Sequence, residues 1–554
     1  MPTLTRLANL AWIAANSDGH RRYHAALADP EGTQRGLLAS LVRRNAETAF
    51  GRRHGFADVT TVAEFQERVP LSTWDDYEPW VERIAAGEEH VLTRSPVRIL
   101  ELSSGSSAAA KRIPYTADLQ RDIRRAVAPW ICDAYQRTPE VSRGAGYWSI
   151  TPPALVEERA RPSAVPVGFE EDGEYLGGFW KRLAGATLAV PAAVRLVRNI
   201  DSFRYVTLLF LLRRADLALF SVWHPSFLTL LLGALPGFWE PLLRDVERGT
   251  LNPPSPLPEA ARTALGRHAA LPDRAAELSR LGPDSPGLLW PNVALVSCWG
   301  DAHAALHLPE VQRLFPRAKV QPKGLVATEA FVTIPYAGRH PLAIRSHFFE
   351  FLPEGSGGKV CLAHELETGD VASVVVTTGG GLYRYQLQDR VAVDGFVGPT
   401  PSLRFLGKEG HVSDLRGEKL HESFVTGALA RTFESLRLSP RFALLAPAPP
   451  SDPAEPPAYT LYVELADAGS LPASFVADLA KALETELSAN PHYRLCVALQ
   501  QLAPARVSLI EKDGVARYLE RCRGRGQRLG DIKPLALSAE GGWGEVFGVL
   551  GGCR

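Results

Sequence analysis

The chain has 554 residues, 45% hydrophobic and 22% charged, an ordinary globular composition that excludes a disordered or collagen-like polymer. Its 61 Lys plus Arg balance 61 Asp plus Glu, so it lacks the basic excess with which nucleic-acid binders neutralise phosphates. At ~150 residues per domain the length allows three or four modules, or one large domain with an appendage, and any anionic ligand must be held by a local group of side chains.

The start, MPTLTRLANLAWIAANS, has one Arg and a short apolar run, weakly like a secretory signal, but it continues into amphipathic helical sequence. The reading is an N-terminal helical pair packed on the body. Short helices with bulky anchors (Phe65, Trp74, Trp80) follow. From Val97 the pattern becomes strand, turn and helix: VRILEL, SSGSSAAAKRIPYT, then ADLQRDIRRAVAPWICDAY. The uncharged stretch Leu217 to Trp239 is broken by Pro225 and Pro236 into a strand and a short helix, too short to span a bilayer. Strands alternating with helices predict an α/β fold with helices on the faces of a sheet. Residues 340–400 are richer in strand, and VVVTTGGGLYRYQ predicts a hairpin around three glycines.

After Gly407 the polar run GKEGHVSDLRGEKLHE precedes two helices alternating with strands, a small α+β unit. The predicted division is a large N-terminal domain over 1–406, a hinge over 407–417 and a small mobile cap over 418–554. Six scattered cysteines (Cys132, Cys298, Cys361, Cys496, Cys522, Cys553) form no CxxC pair, so no zinc or redox framework is predicted. Reduced thiols in a cytoplasmic protein are expected, with no membrane partner and a monomeric state.

Five segments carry candidate chemistry. Ser103, Ser104, Gly105, Ser106 and Ser107, followed by Ala108-Ala109-Ala110-Lys111, concentrate hydroxyls and N–H groups in a turn that suits phosphate oxygens, with a lysine for charge. No GxxxxGK[ST] loop is present there. Gly324 to Phe331 (GLVATEAF) sets Thr328 beside Glu329, a pair suited to a phosphate oxygen and magnesium. Thr377 to Tyr385 leads to Asp389, whose two acceptor oxygens fit vicinal ribose hydroxyls. In that hairpin Arg384 has two readings, a phosphate partner or the partner of a carboxylate across the strands. Lys408 lies in the hinge, and Lys533 lies in the late loop GQRLGDIKP, where a lysine of a moving cap can meet developing negative charge.

The order of these segments is that of adenylate-forming enzymes. SSGSSAAAKRIPYT, CWGDAHAALHLPEVQRLFP with GLVATEAFVTIP, and VVVTTGGGLYRYQLQDRVAVDGF resemble the three nucleotide-binding motifs of the auxin-responsive GH-three family of acyl-acid amido synthetases. The resemblance extends from TVAEFQERVPLSTWDDYEPWVERIAAGE to GQRLGDIKP. It implies a large adenylate-forming domain of mixed sheets with flanking helices, a β-rich part and a small cap. It implies an ATP- and Mg2+-dependent ligase that adenylates a small-molecule carboxylic acid and passes the acyl group to an amine or amino acid. Carried over by position, Ser104, Ser106, Ser107 and Lys111 belong to the phosphate loop, and Thr328 and Glu329, flanked by Gly324 and Ala327, to the α-phosphate and magnesium. Tyr383 and Arg384 fall in the nucleotide hairpin, Asp389 on ribose, and Lys408 and Lys533 on the nucleotide and cap loop.

The acid pocket implied by the family draws on Leu119, Ile123, Arg124, Val127, Trp130, Tyr147, Trp148, Phe179, Trp180, Trp223 and Phe331. The amine's proton is expected to pass to bulk base, since no His is clearly placed to take it; His303 and His307 are candidates only. Three departures from the family pattern stand out: the three alanines of the phosphate loop, Gly379-Gly380-Gly381 in place of a bulkier turn, and Gln388 in place of a glycine before Asp389. Two other readings stay open: thioester formation with coenzyme A or a carrier thiol, and a nucleotide- or acyl-binding protein without turnover.

Overall fold

A computed structural model describes residues 4–103, 111–149, 163–167, 185–266, 268–448, 455–466, 472, 474–525, 527 and 532–548. The chain divides into two compact units, the first made of residues 1–223, 231–299 and 314–405, the second of 224–230, 300–313 and 406–554. Among the described residues no single helix is long and apolar enough to cross a membrane.

In the first unit, helix Leu4–Ala26 buries Asn9, Trp12, Asn16 and Tyr23, spaced so that they share one face. That face packs on helix Ala117–Arg137, where a Cβ on Gly19 would lie 2.7 Å from the Ala128 Cβ. The amide of Asn9 donates to the Ser142 and Gly144 carbonyls and accepts from the Tyr135 hydroxyl, so its burial leaves no polar atom wanting. The next helix, Pro30–Arg44, starts from an Asp29 cap with Pro at its first position. Its buried Gln34 donates to the carbonyls of Ile344 and His347 and accepts from the Phe349 N–H.

Three sheets follow. The antiparallel pair β1 (Val97–Ser103) and β2 (Lys111–Thr116) precedes the helix Ala117–Arg137. A parallel four-stranded sheet runs in the order β3 (Ala145–Trp148), β4 (Leu217–Ser221), β5 (Leu295–Trp299), β6 (Lys319–Lys323). Its inner strands LALFS and LVSCW are continuous apolar runs, as strands covered on both faces must be. An antiparallel five-stranded sheet has the order β11-β10-β9-β7-β8, built from β7 (Phe348–Pro353), β8 (Cys361–Leu362), β9 (Val371–Thr377), β10 (Tyr385–Val397) and β11 (Thr400–Lys408).

The second unit holds the short pair β12 (Val412–Ser413) and β13 (Leu420–His421) and a three-stranded sheet. That sheet comprises β14 (Pro440–Ala448), β15 (Ala458–Leu465) and β16 (Arg506–Leu509), antiparallel and then parallel. Alternation along β14 sends Ala443 and Leu445 into a core with helices Glu422–Ser435 and Phe475–Leu487. Phe442, Leu444 and Ala446 face the opposite side, against helix Gly514–Gly524, Trp543 and Phe547. With helices on both faces, this sheet has no solvated side.

Candidate active site

The sequence places the serine-rich loop between a strand and a helix; the structure closes it between two strands, with Ser103 paired to Lys111 at its base. Ser104, Gly105, Ser106 and Ser107 lie outside the described residues, as do Phe179 and Trp180. The helix begins only after Thr116, whose hydroxyl accepts the Leu119 N–H as an N-cap and donates to the Gly379 carbonyl (2.8 Å). Through that bond the start of the helix is tied to the triple glycine between β9 and β10.

Why three glycines stand there is now visible. A Cβ on Gly379 would lie 2.5 Å from a carboxylate oxygen of Asp122 and 3.0 Å from the Asp118 backbone, and one on Gly380 would lie 2.8 Å from the Pro114 carbonyl. Gly381 takes φ +94, which a side chain resists. The loop can therefore lie directly on the helix start, where the Gly379 N–H donates to Asp122 (3.1 Å). Burial pushes the Asp122 carboxyl up to about 7, although Arg125 (3.2 Å) and that N–H pull the other way.

Three predicted residues gather around a phenol that the sequence did not single out. The Lys111 ammonium donates to the Tyr385 hydroxyl (3.2 Å) and lies 5.9 Å from its ring centre. Burial first, then the nearby carboxylates of Glu329 and Asp389, hold the Tyr385 proton well above the usual phenol range. One lysine thus contacts the tyrosine, and two carboxylates lie near enough to hold its proton.

Glu329 is buried at the tip of a tight turn in which Val326 bridges Phe331 and the Ala327 N–H donates to the Ala330 carbonyl (2.9 Å). Partly exposed Thr328 sits beside it on the same turn. At the foot of this arm Gly324 passes so close to Thr333 that a Cβ would meet its carbonyl at 2.5 Å, which gives the glycine a packing role. The other side is braced by His347, whose Nε2 accepts the Phe331 N–H (3.2 Å); burial drives this imidazole down to about 3, so it stays neutral. Asp389, also buried, lies within a break in the β10–β9 register between Gln386 and Arg390. Gln388 there has φ +61, the left-handed conformation that suits the glycine expected at this position.

Two expected nucleotide contacts are corrected. Tyr383 is a core residue: its ring stacks on Phe50 (4.8 Å), its hydroxyl donates to the Leu92 carbonyl and its N–H to Tyr77. Arg384 is buried on Glu350 (3.1 Å) and donates to the Gln66 and Val69 carbonyls, so it is the partner of a carboxylate and not of phosphate. Leu119, Ile123 and Val127 are buried on one face of their helix, Leu119 against the Gly380 position, and Phe331 is buried as well. Arg124 is half-buried, and desolvation lowers its guanidinium. Trp148 and Trp223 lie partly exposed at or just beyond the carboxyl ends of β3 and β4. Lys408 and Lys533 belong to the second unit, partly exposed and exposed respectively. His307 is in that unit too, buried 5.2 Å from the His224 ring.

The backbone resembles that of the AtGH3.15 acyl acid amido synthetase solved in complex with 2,4-DB, with a TM-score of 0.82 over 96% of this chain and 95% of that one at 19% identity. The fold is therefore that of an acyl-acid amido synthetase. The sequence patterns of the GH3 family N-terminal, central and C-terminal domains match residues 19–320, 340–408 and 425–541, and the chain belongs to the GH3 family. Indole-3-acetic acid-amido synthetase GH3.4 of Arabidopsis thaliana is 21% identical over 535 residues, covering 91% of this chain and 89% of that protein. Indole-3-acetic acid-amido synthetase GH3.8 of Oryza sativa subsp. indica is 23% identical over 534 residues, covering 91% and 87%.

Proposed function

We propose that this GH3 protein is an ATP-dependent acyl-acid amido synthetase, and that the group Lys111, Glu329, Tyr385 and Asp389 is its nucleotide site. The observation that carries the reading is one buried phenol that a lysine contacts and whose proton two nearby carboxylates help to hold, the charges coming from three separate segments of the chain.

In the first step a carboxylate oxygen attacks the α-phosphorus of ATP; an oxygen–phosphorus bond forms and the bond to the β-phosphate breaks, releasing pyrophosphate. In the second, an amine nitrogen attacks the acyl carbon, its proton passes to solvent, and AMP leaves. Lys111 offsets the phosphate charge that repels the incoming carboxylate. Asp389 accepts from the ribose hydroxyls. Magnesium would bind Glu329 together with phosphate oxygens, as that ion prefers, and would screen their charge. Lys408 and Lys533 would act from a cap turning about residues 407–417.

The test is acid-dependent exchange of pyrophosphate into ATP with a panel of aryl and alkyl acids, followed by product mass with amino acids or coenzyme A. Amide mass with an amino acid is expected; a thioester, or ATP binding without exchange, would replace this reading with one of its rivals. Lys111→Met is expected to slow exchange on the order of 10²-fold, and Asp389→Asn to raise the KM for ATP about tenfold. Unchanged constants in both variants would remove the nucleotide from this cluster.

A further inference from the structure

Helices Leu4–Ala26 and Ala117–Arg137 run antiparallel: Asn9 of the first meets Ser142 and Gly144 past the end of the second, and Gly19 faces Ala128. One turn on from that contact, in opposite chain directions, stand Arg22 and Arg125. The turn Ala343–Ser346 docks beside them. Its preceding residue Leu342 accepts from the Tyr23 hydroxyl (2.7 Å), and Gln34 holds the carbonyls of Ile344 and His347. Arg345, within this turn, is partly exposed, and its guanidinium has no hydrogen bond or ion pair among the described residues.

Burial first, then the charges of Arg125 and Arg22, lower the Arg345 guanidinium below its ordinary value, and Asp18 acts against them. Asp18 is already engaged by Arg22 (2.8 Å) and Arg21 (3.4 Å), and Asp122 by Arg125 (3.2 Å) and the Gly379 N–H. Two residues beyond Arg345, His347 accepts the Phe331 N–H at Nε2, so its Nδ1 carries the proton. That buried donor also lacks an acceptor among the described residues. A chain of zero net charge thus gathers three guanidiniums at one place, with its nearby carboxylates already shared. Guanidinium forks suit the oxygens of a tetrahedral anion, and like charges held together favour one.

We propose that Arg345, Arg125 and Arg22 form a second anion site, for a phosphate-class oxyanion, built from residues outside the nucleotide cluster. The anion supplies acceptors to Arg345 and offsets the repulsion among the three charges. It also spans two supports of the nucleotide cluster. Arg125 holds Asp122 beneath Gly379, while the Arg345 turn grips the arm of Glu329: the Ala343 N–H donates to the Val332 carbonyl (2.8 Å) and the Ser346 hydroxyl to that of Phe331 (3.2 Å). Free inorganic phosphate and pyrophosphate leaving the reaction share this chemistry.

Calorimetric titration of the full-length protein tests it, with ATP saturating, no acid present, and inorganic phosphate or pyrophosphate as separate probes at constant ionic strength. A single anion is expected to bind although ATP fills the nucleotide cluster. Arg345→Met should weaken it about 10- to 100-fold, the range of charge-assisted hydrogen bonds, with the ATP affinity unchanged. Thermal unfolding reads the site independently: sodium phosphate should raise the midpoint above sodium chloride of equal ionic strength in the unsubstituted chain, and not in Arg345→Met. Arg345→Gln takes its place if the methionine variant does not fold. No binding with ATP saturating, binding unaltered in the variant, or equal midpoints in the two salts overturns the inference. Tighter binding of phosphate assigns the site to the free ion, and tighter binding of pyrophosphate to the product. Arg345-dependent binding without acid-dependent pyrophosphate exchange would sink the synthetase reading alone; exchange without Arg345-dependent binding would sink the inference alone.

Discussion

Replacing Asp122 by Asn should make the protein more resistant to unfolding at pH 8 than at pH 5, relative to the unsubstituted chain. Asp122 is buried beneath the Gly379 loop, and its carboxyl is pushed up to about 7 because burial outweighs Arg125 and the Gly379 N–H. In the unfolded chain an aspartate titrates near ~3.9. Between these values the folded protein binds a proton that the unfolded chain does not, so stability falls as pH rises. The contribution of the neutral carboxyl is complete below about 4 and is lost as pH rises through about 7. At ~1.4 kcal/mol per unit the whole span is worth about 4 kcal/mol, of which about 2–3 kcal/mol falls between pH 5 and 8. Asn keeps an acceptor for the Gly379 N–H and cannot ionise. Urea unfolding followed by circular dichroism at pH 5, 6, 7 and 8 reads the effect as a difference between the two proteins, in which titrations common to both cancel. A stability difference that stays flat with pH, or shrinks toward pH 8, would refute the claim that burial dominates at this carboxyl.

Glu350→Gln is expected to destabilise by about 3–5 kcal/mol, since it strands the buried Arg384 charge, while leaving the KM for ATP unchanged in the folded protein. A raised KM at unchanged thermal midpoint would return Arg384 to the nucleotide. Gln388→Gly should raise the urea midpoint by about 0.5–1 kcal/mol of stability, because φ +61 strains a side chain and not glycine. A loss of stability there would mean that the Gln388 side chain contributes more than the strain costs.

The sequence carries much of this fold because its signals are local. Apolar runs such as LVSCW, capped helix starts such as Thr116, and the alternation of β14 each declare an element within a few residues. Lys111, Glu329 and Asp389 were legible for a different reason: each is a charged residue inside a motif whose order is distinctive. Tyr385 was not, because strand alternation treats Tyr383 and Tyr385 alike. Arg384, at φ +49, breaks that alternation, and only then does one tyrosine enter the Phe50 core while the other meets Lys111. Arg345 was hidden in AIRSH, since its charged neighbours Arg22 and Arg125 stand 323 and 220 residues away in sequence. Contacts of that range leave no periodic trace.

The anchoring of the β9–β10 hairpin by distant N-terminal residues bears on how members of this family can be recombined. Arg384 holds the carbonyls of Gln66 and Val69, Ser72 exchanges backbone bonds with Arg384 and Gln386, and Tyr77 both donates to and accepts from Tyr383. A chimera that grafts residues 340–408 from a relative onto this N-terminal sequence would therefore cut across a single mechanical joint. Segments 66–77 and 383–386 have to be inherited as a pair, although three hundred residues of chain separate them.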